Sequence, residues 1–124
     1  MSNEDWYNIK SAYEYVLEKT SRHTYLVYMP WLIDQIIESK FISFFATVSH
    51  MNLIVHPSID LNSKHHRIAI YPKASWFTLH YSYYDLKDIY RYDEYKVVLE
   101  DVENILWQLM ERLDKWKVKN LLND

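Results

Sequence analysis

The chain has 124 residues, a formal net charge of −3 and a hydrophobic content of 49%, which suits one ordinary domain with a core of its own, spanning residues 1–124. It contains no cysteine, which excludes disulfide frameworks, cysteine nucleophiles, zinc ribbons and iron–sulfur clusters. It also contains no glycine, so the P-loop, the dinucleotide fingerprint and the nucleophile elbow are absent, since each needs a residue without Cβ where the backbone closes on its ligand.

Residues 3 to 19 read as an amphipathic helix. Trp6, Ile9, Tyr13, Val16 and Leu17 recur at helical spacing. Ser2 or Asn3 can cap it, and Glu4 and Asp5 suit its first turn. Thr20 to His23 is a polar break, and Tyr25 to Tyr28 is a short strand or an extended connector. Met29 precedes a proline and is pushed towards extended geometry. Pro30 suits the first position of a second helix reaching about Lys40, with Leu32, Ile33, Ile36 and Ile37 inward.

The pattern then changes to period two. Ile42, Phe44, Ala46 and Val48 take one face of a strand over 41–48; Phe41, Ser43, Phe45 and Thr47 take the other. Met51, Leu53 and Val55 continue in a second strand, and Arg67 to Tyr71 is a third. The stretch Ser58 to His65 is a polar loop. Pro72-Lys73-Ala74-Ser75 suits a type I turn, which needs no positive φ. The fourth strand is Trp76 to Tyr84, with Phe77, Leu79, Tyr81 and Tyr83 on one face and Trp76, Thr78, His80, Ser82 and Tyr84 on the other. Asp85 to Glu94 reads as a structured loop or a short turn of helix. From about Asp93 to Trp116 a stripe of Val98, Leu99, Val102, Ile105, Leu106 and Leu109, continued by Met110 and Leu113, marks a long helix that covers one sheet face. The expected architecture is α+β: N-terminal helices, an antiparallel four-stranded meander and a C-terminal helix. Without glycine, turns fall to asparagine, aspartate and proline, with Asn52, Asn62 and Pro72 as candidates.

Charge is unevenly placed. Residues 85–114 hold nine acids against four Lys/Arg, whereas residues 1–84 hold seven of each. Within the last helix, Trp107 lies about 130° from the centre of the apolar stripe. Glu100, Glu103, Glu111 and Asp114 stand at −7, −4, +4 and +7 from it. Four carboxylates around one tryptophan would steer a basic partner onto a residue type favoured at binding hot spots. The alternative is a solvated face whose tryptophan packs on an adjacent loop.

A second cluster is aromatic: Tyr81, Tyr83, Tyr84, Tyr90, Tyr92 and Tyr95, interleaved with Asp85, Asp88, Asp93 and Glu94. Acids among the rings repel phosphate, so the cluster suits a protein partner rather than direct contact with nucleic acid. The six histidines show no metal-binding spacing, and no cofactor or metal is expected. His80, between Trp76 and Tyr84 on one face, is the candidate general base if the protein is an enzyme, with the His65/His66 loop as the other place to look.

The order of elements, the strand Ala74-Ser-Trp-Phe-Thr-Leu-His-Tyr and the acidic C-terminal helix resemble the small α+β immunity proteins that bacteria pair with polymorphic or contact-dependent toxins. The resemblance implies a toxic enzyme as partner, often a nuclease, blocked by direct binding; it transfers no residues. The expected binding face is Trp107, Glu100, Glu103, Glu111 and Asp114 with Tyr90 and Tyr92. Other readings are a phage or plasmid inhibitor of a host defence protein, a small enzyme using His80, and a subunit whose aromatic face is a self-interface. The acidic, polar N-terminus is no secretory signal and no stretch gives the ~20 apolar residues of a bilayer span, so the expected location is the cytoplasm, without membrane contact.

Overall fold

A computed structural model describes residues 2–122, without the side chains of residues 2–5 and 21–23. Ser2, Asn3, Glu4 and Asp5 therefore lie outside the side chains described. Helix α1 (Ser2–Lys19) is followed by a 3-10 segment (Ser21–Leu26), helix α2 (Met29–Ile37) and a second 3-10 segment (Lys40–Ser43). Strands β1 (Phe45–Ser49), β2 (Asn52–His56), β3 (Arg67–Pro72), β4 (Phe77–Tyr84) and β5 (Tyr90–Val97) then precede helix α3 (Leu99–Leu121). The sheet is antiparallel throughout, in the order β1-β2-β3-β4-β5.

The α+β layout agrees with the sequence pattern, with five strands in place of four. The extra strand is β5, in the stretch expected to be a loop. Its inward positions begin with Arg91 and Asp93, and only Tyr95 and Val97 are apolar. Asp93 turns inward because Arg112 of α3 donates to its Oδ2 at 2.7 Å. That charge breaks the apolar alternation by which a strand is recognised, and an inward charge is also a means of keeping an edge strand from pairing with other chains. With β5 occupying these residues, α3 begins at Leu99 rather than about Asp93.

Further boundaries differ. Tyr25 falls in a 3-10 segment rather than a strand. Residues 40–43 form a 3-10 turn, closed by Ser39, whose Oγ accepts from Phe41 N at 3.1 Å and donates to Ile36 O at 2.7 Å. Only residues 45–49 of the expected first strand are extended. The β1–β2 turn is made by His50 and Met51, with φ of 53° and 64°, while Asn52 belongs to β2. Two consecutive positive φ values are what a two-residue hairpin turn of the right twist needs, and without glycine they fall on residues with a Cβ.

The β3–β4 turn lies one residue later than expected: Lys73 N donates to Trp76 O at 2.9 Å, Pro72 belongs to β3 and β4 begins at Phe77, while none of residues 73–76 has positive φ, as expected of a type I turn. The β4–β5 hairpin is built on Asp85. Its Oδ1 accepts from Lys87 N at 2.9 Å and Ile89 N at 3.0 Å, and Asp88 supplies the one positive φ, 62°.

Helices α1 and α3 pack on one face of the sheet, and α2 packs against α1. The stripe of α1 puts Trp6 and Tyr13 fully into the core, with Ile9, Val16 and Leu17 at its margin. Trp6 Nε1 donates to Ile42 O at 3.1 Å and Phe44 O at 2.9 Å, which fastens α1 to the chain entering β1. Leu32, Ile33 and Ile36 of α2 and Val102, Leu106 and Leu109 of α3 complete the helical side. Leu53, Val55, Ile68, Ile70 and Leu79 face them from the sheet. The opposite face, with Ile54, Ala69, Tyr71, His80 and Tyr92 across neighbouring strands, carries no helix among the described residues.

Candidate functional site

Along α3 the structure divides the residues expected to act together. Trp107 is half-buried: its ring stacks on Phe41 with centroids 5.5 Å apart and planes 25° from parallel, and Phe41 stacks in turn on Phe44. The segment after α2 thus covers the tryptophan, which is the packing alternative read from the sequence. Lys40 of that segment pairs with Glu111, and the hydrogen bond with this carboxylate holds the ammonium pKa above its ordinary value. Glu111 and, through its field at Lys40, Asp114 therefore belong to the join between the 3-10 segment and the helix.

Tyr90 and Tyr92 lie elsewhere. Their position on β5 sends them to the helix-free face, so the sheet stands between them and α3. Tyr90 Oη donates to Ser82 Oγ at 3.0 Å, and Tyr92 stacks on His80 at 4.6 Å and 21°. The single face combining these tyrosines with Trp107 and the four acids does not form. Helical spacing carried no information about which segments would cover Trp107 or which sheet face the tyrosines would take.

Glu100 and Glu103 stand in the first turns of α3, where the positive end of the helix dipole favours carboxylates. Val98 precedes them in extended geometry (φ −79°, ψ 165°), and Asp101 N donates to its carbonyl at 3.0 Å. Both glutamates line a cleft of about 410 Å3 with Tyr28, Trp31 and Leu99. Trp31 comes to this place through α2, which begins at Met29, in helical rather than the expected extended geometry, with Pro30 in its first turn. With Met29, Leu32, Ile33 and Ile36 buried on one side of the helix, Trp31 is left on the other, 38% exposed. A second cleft, also of about 410 Å3, adjoins it and runs past Val98 to the β3–β4 turn, where Trp76 is 41% exposed. Tyr28 and Glu100 line both.

The result is a groove with aromatic walls and a carboxylate rim. Neither Glu100 nor Glu103 has an ion-pair partner among the described residues. Sequence reasoning found the two acids and missed Tyr28, Trp31 and Trp76 as their companions. Trp31 did leave a signal, as the one large ring outside the apolar stripe of α2.

The histidines are mostly occupied by packing. His56 Nε2 and Thr47 Oγ1 lie 2.9 Å apart, and burial lowers the His56 pKa. His66 stacks on Trp116 at 4.5 Å and 16°, and its Nδ1 is 2.9 Å from Tyr81 Oη. Burial, then the neighbouring Arg112, push its pKa down to about 4. His65 Nδ1 lies 3.5 Å from Asp60 Oδ1 but is not aligned for a hydrogen bond. His80 alone combines a charged partner with an open position: Nε2 meets Glu94 Oε1 at 2.8 Å, and Tyr71 and Tyr92 hold the ring. An imidazole oriented by a carboxylate is the usual beginning of a general base.

Among the described residues no three His, Asp or Glu side chains converge on a possible metal position, and no helix is long and apolar enough to cross a membrane. Comparison of the chain with protein-family models, with curated proteins and with solved structures finds no match.

Proposed function

We propose that the protein is a binding module of the immunity or inhibitor type, which grips a basic segment of a toxin and blocks it by occupying its surface. The observation that supports this is the groove between α2 and the start of α3, where exposed Tyr28, Trp31 and Trp76 stand beside the unpaired carboxylates of Glu100 and Glu103. Tryptophan and tyrosine give large contact area for little lost side-chain freedom, and they dominate binding energies where they are central. Carboxylates at the rim attract lysine and arginine on the approaching partner and raise the association rate. In this reading Trp31 and Glu103 are the central contacts, while Trp107 supports α3 from beneath Phe41. The proposed place of action is the cytoplasm.

The test is co-purification from the native host with wild-type, Trp31→Ala and Glu103→Lys proteins, followed by affinity measurement on the partner identified. Each variant should bind at least about tenfold more weakly, the loss expected of a modest hot spot, with unchanged circular dichroism. Wild-type affinity in both variants would remove the groove from the binding surface. Where the partner is a toxin encoded beside this chain, co-expression of the wild type should restore growth and co-expression of Trp31→Ala should not.

The His80–Glu94 pair favours one other reading, a small hydrolytic or proton-transfer enzyme. That reading requires a turnover that His80→Ala abolishes while the fold survives.

A further inference from the structure

On the helix-free face, next to His80, a separate cleft of about 390 Å3 is lined by Tyr71, Lys73, Trp76, Thr78, Glu94 and Lys96 as well as the histidine. Its size falls within the range of small-molecule sites. The register explains how it forms. Tyr71, Thr78 and Lys96 are directly opposed across β3, β4 and β5, and His80 and Glu94 form the adjacent cross-strand pair. Thr78 is only 7% exposed and makes the floor, while larger neighbours rise on either side.

The free charges of this cleft are positive and those on the α3 side of the groove are negative, with Lys73 at the boundary. Although the β4–β5 hairpin is rich in acids, those acids have partners: Asp85 with Arg91, Asp88 with Lys64, and Asp93 with Arg112 on the other face of the sheet. Glu94, the one acid in the cleft, is hydrogen-bonded to His80. Lys73 and Lys96 have no ion-pair partner among the described residues, and the exposed indole of Trp76 has no ring partner there. Two free ammonium groups beside an open aromatic face form a complementary pair of determinants.

We infer that this cleft binds a small planar aromatic anion, one ring carrying a single carboxylate or phosphate. The ring lies against Trp76 and Tyr71 over Thr78, and the anionic group takes the two ammonium groups of Lys73 and Lys96. Tyr92 and Glu94 fix the His80 ring as the end wall. An extended cation has no counter-charge here beyond Glu94, and a purely apolar ligand would leave both lysines unused. The site does not rest on the protein-binding reading, although Lys73 and Trp76 line both clefts.

Two probes distinguish the sources of such an anion: phenyl phosphate for a phosphate and 4-hydroxybenzoate for a carboxylate, with phenol and 4-hydroxybenzamide as uncharged counterparts. Titration of 15N-labelled full-length protein, followed by heteronuclear NMR, should shift the Trp76 indole N–H and the amides of Thr78 and Lys96 with at least one anion. Its uncharged counterpart should bind about tenfold more weakly or less, as befits loss of contacts to two charged groups. Lys96→Gln, which lies outside the α3 groove, should reduce the anion's affinity by about fivefold and leave the protein's spectrum otherwise folded. Binding by one anion alone assigns the headgroup and supports the site. Absence of shifts at these residues with both anions, or equal binding of charged and uncharged counterparts, overturns it. Loss of partner binding in Trp31→Ala with these titrations intact would separate the two surfaces.

Discussion

Acidification should destabilise this protein through His66. The ring is clamped between Trp116 and Tyr81, beside the Arg112 guanidinium, and its pKa falls from an ordinary 6.5 to about 4. Above the ordinary value the imidazole is neutral in both the folded and the unfolded chain, and pH has no effect through it. Between that value and the folded one, the unfolded chain takes up a proton that the folded chain refuses, so stability falls as pH falls. At pH 5 the undiscounted difference from pH 7 is about 2 kcal/mol. The ring is only half-shielded, and solvent screening reduces this to about 1 kcal/mol. Urea unfolding at the two pH values should show a midpoint lower by about 0.5 M at pH 5 on this account. His56, also lowered by burial, adds in the same direction. The assay is therefore a difference: His66→Gln, which cannot titrate, should show a smaller fall between pH 7 and pH 5 than the wild type. An equal fall in both would refute the role assigned to burial of His66.

Two other perturbations test the packing. Trp107→Ala removes the partner of Phe41 and should lower unfolding stability by about 2 kcal/mol, less than the full value for a completely buried tryptophan; an unchanged urea midpoint with a weakened complex would return Trp107 to the binding surface. His50→Gly relieves a Cβ from left-handed geometry in the exposed β1–β2 turn. Relief of that strain outweighs the added flexibility of the unfolded chain, so thermal unfolding should show a gain of about 0.5–1 kcal/mol, and a loss would show that the turn is not strained there.

Where one face of an element is wholly apolar, the sequence was sufficient to read it. Trp6 and Tyr13, then Leu32, Ile33 and Ile36, then Phe77, Leu79 and Tyr81, then Val102, Leu106 and Leu113 all meet in the core. β5 was illegible because Asp93 takes an inward position for the sake of Arg112, a residue about two strand lengths further along the chain and on another element. The segment 41–44 misled for a related reason. Phe41 and Phe44 are both buried, and a 3-10 turn with its three-residue period brings them to one side, where a strand would put them on opposite faces. The candidate site was half legible. Glu100 and Glu103 stood out by helical spacing, whereas the rings beside them come from α2 and from the β3–β4 turn, and only tertiary packing brings those segments together. Tyr90 and Tyr92 required the strand register to be placed at all.

The order of the strands also sets a timetable. Each strand pairs with its neighbour in sequence, so every hairpin can close as soon as its second arm has left the ribosome. The cover for β3, β4 and β5 arrives last, because α3 is the final element of the described chain. Until Val102, Leu106, Leu109 and Leu113 emerge, Ile68, Ile70 and Leu79 form the inner face of a sheet with no helix over them. Nascent chains halted before α3 would therefore carry an open apolar surface, which draws chaperones and invites aggregation. Completion of the last helix is the step at which this chain leaves that hazard behind.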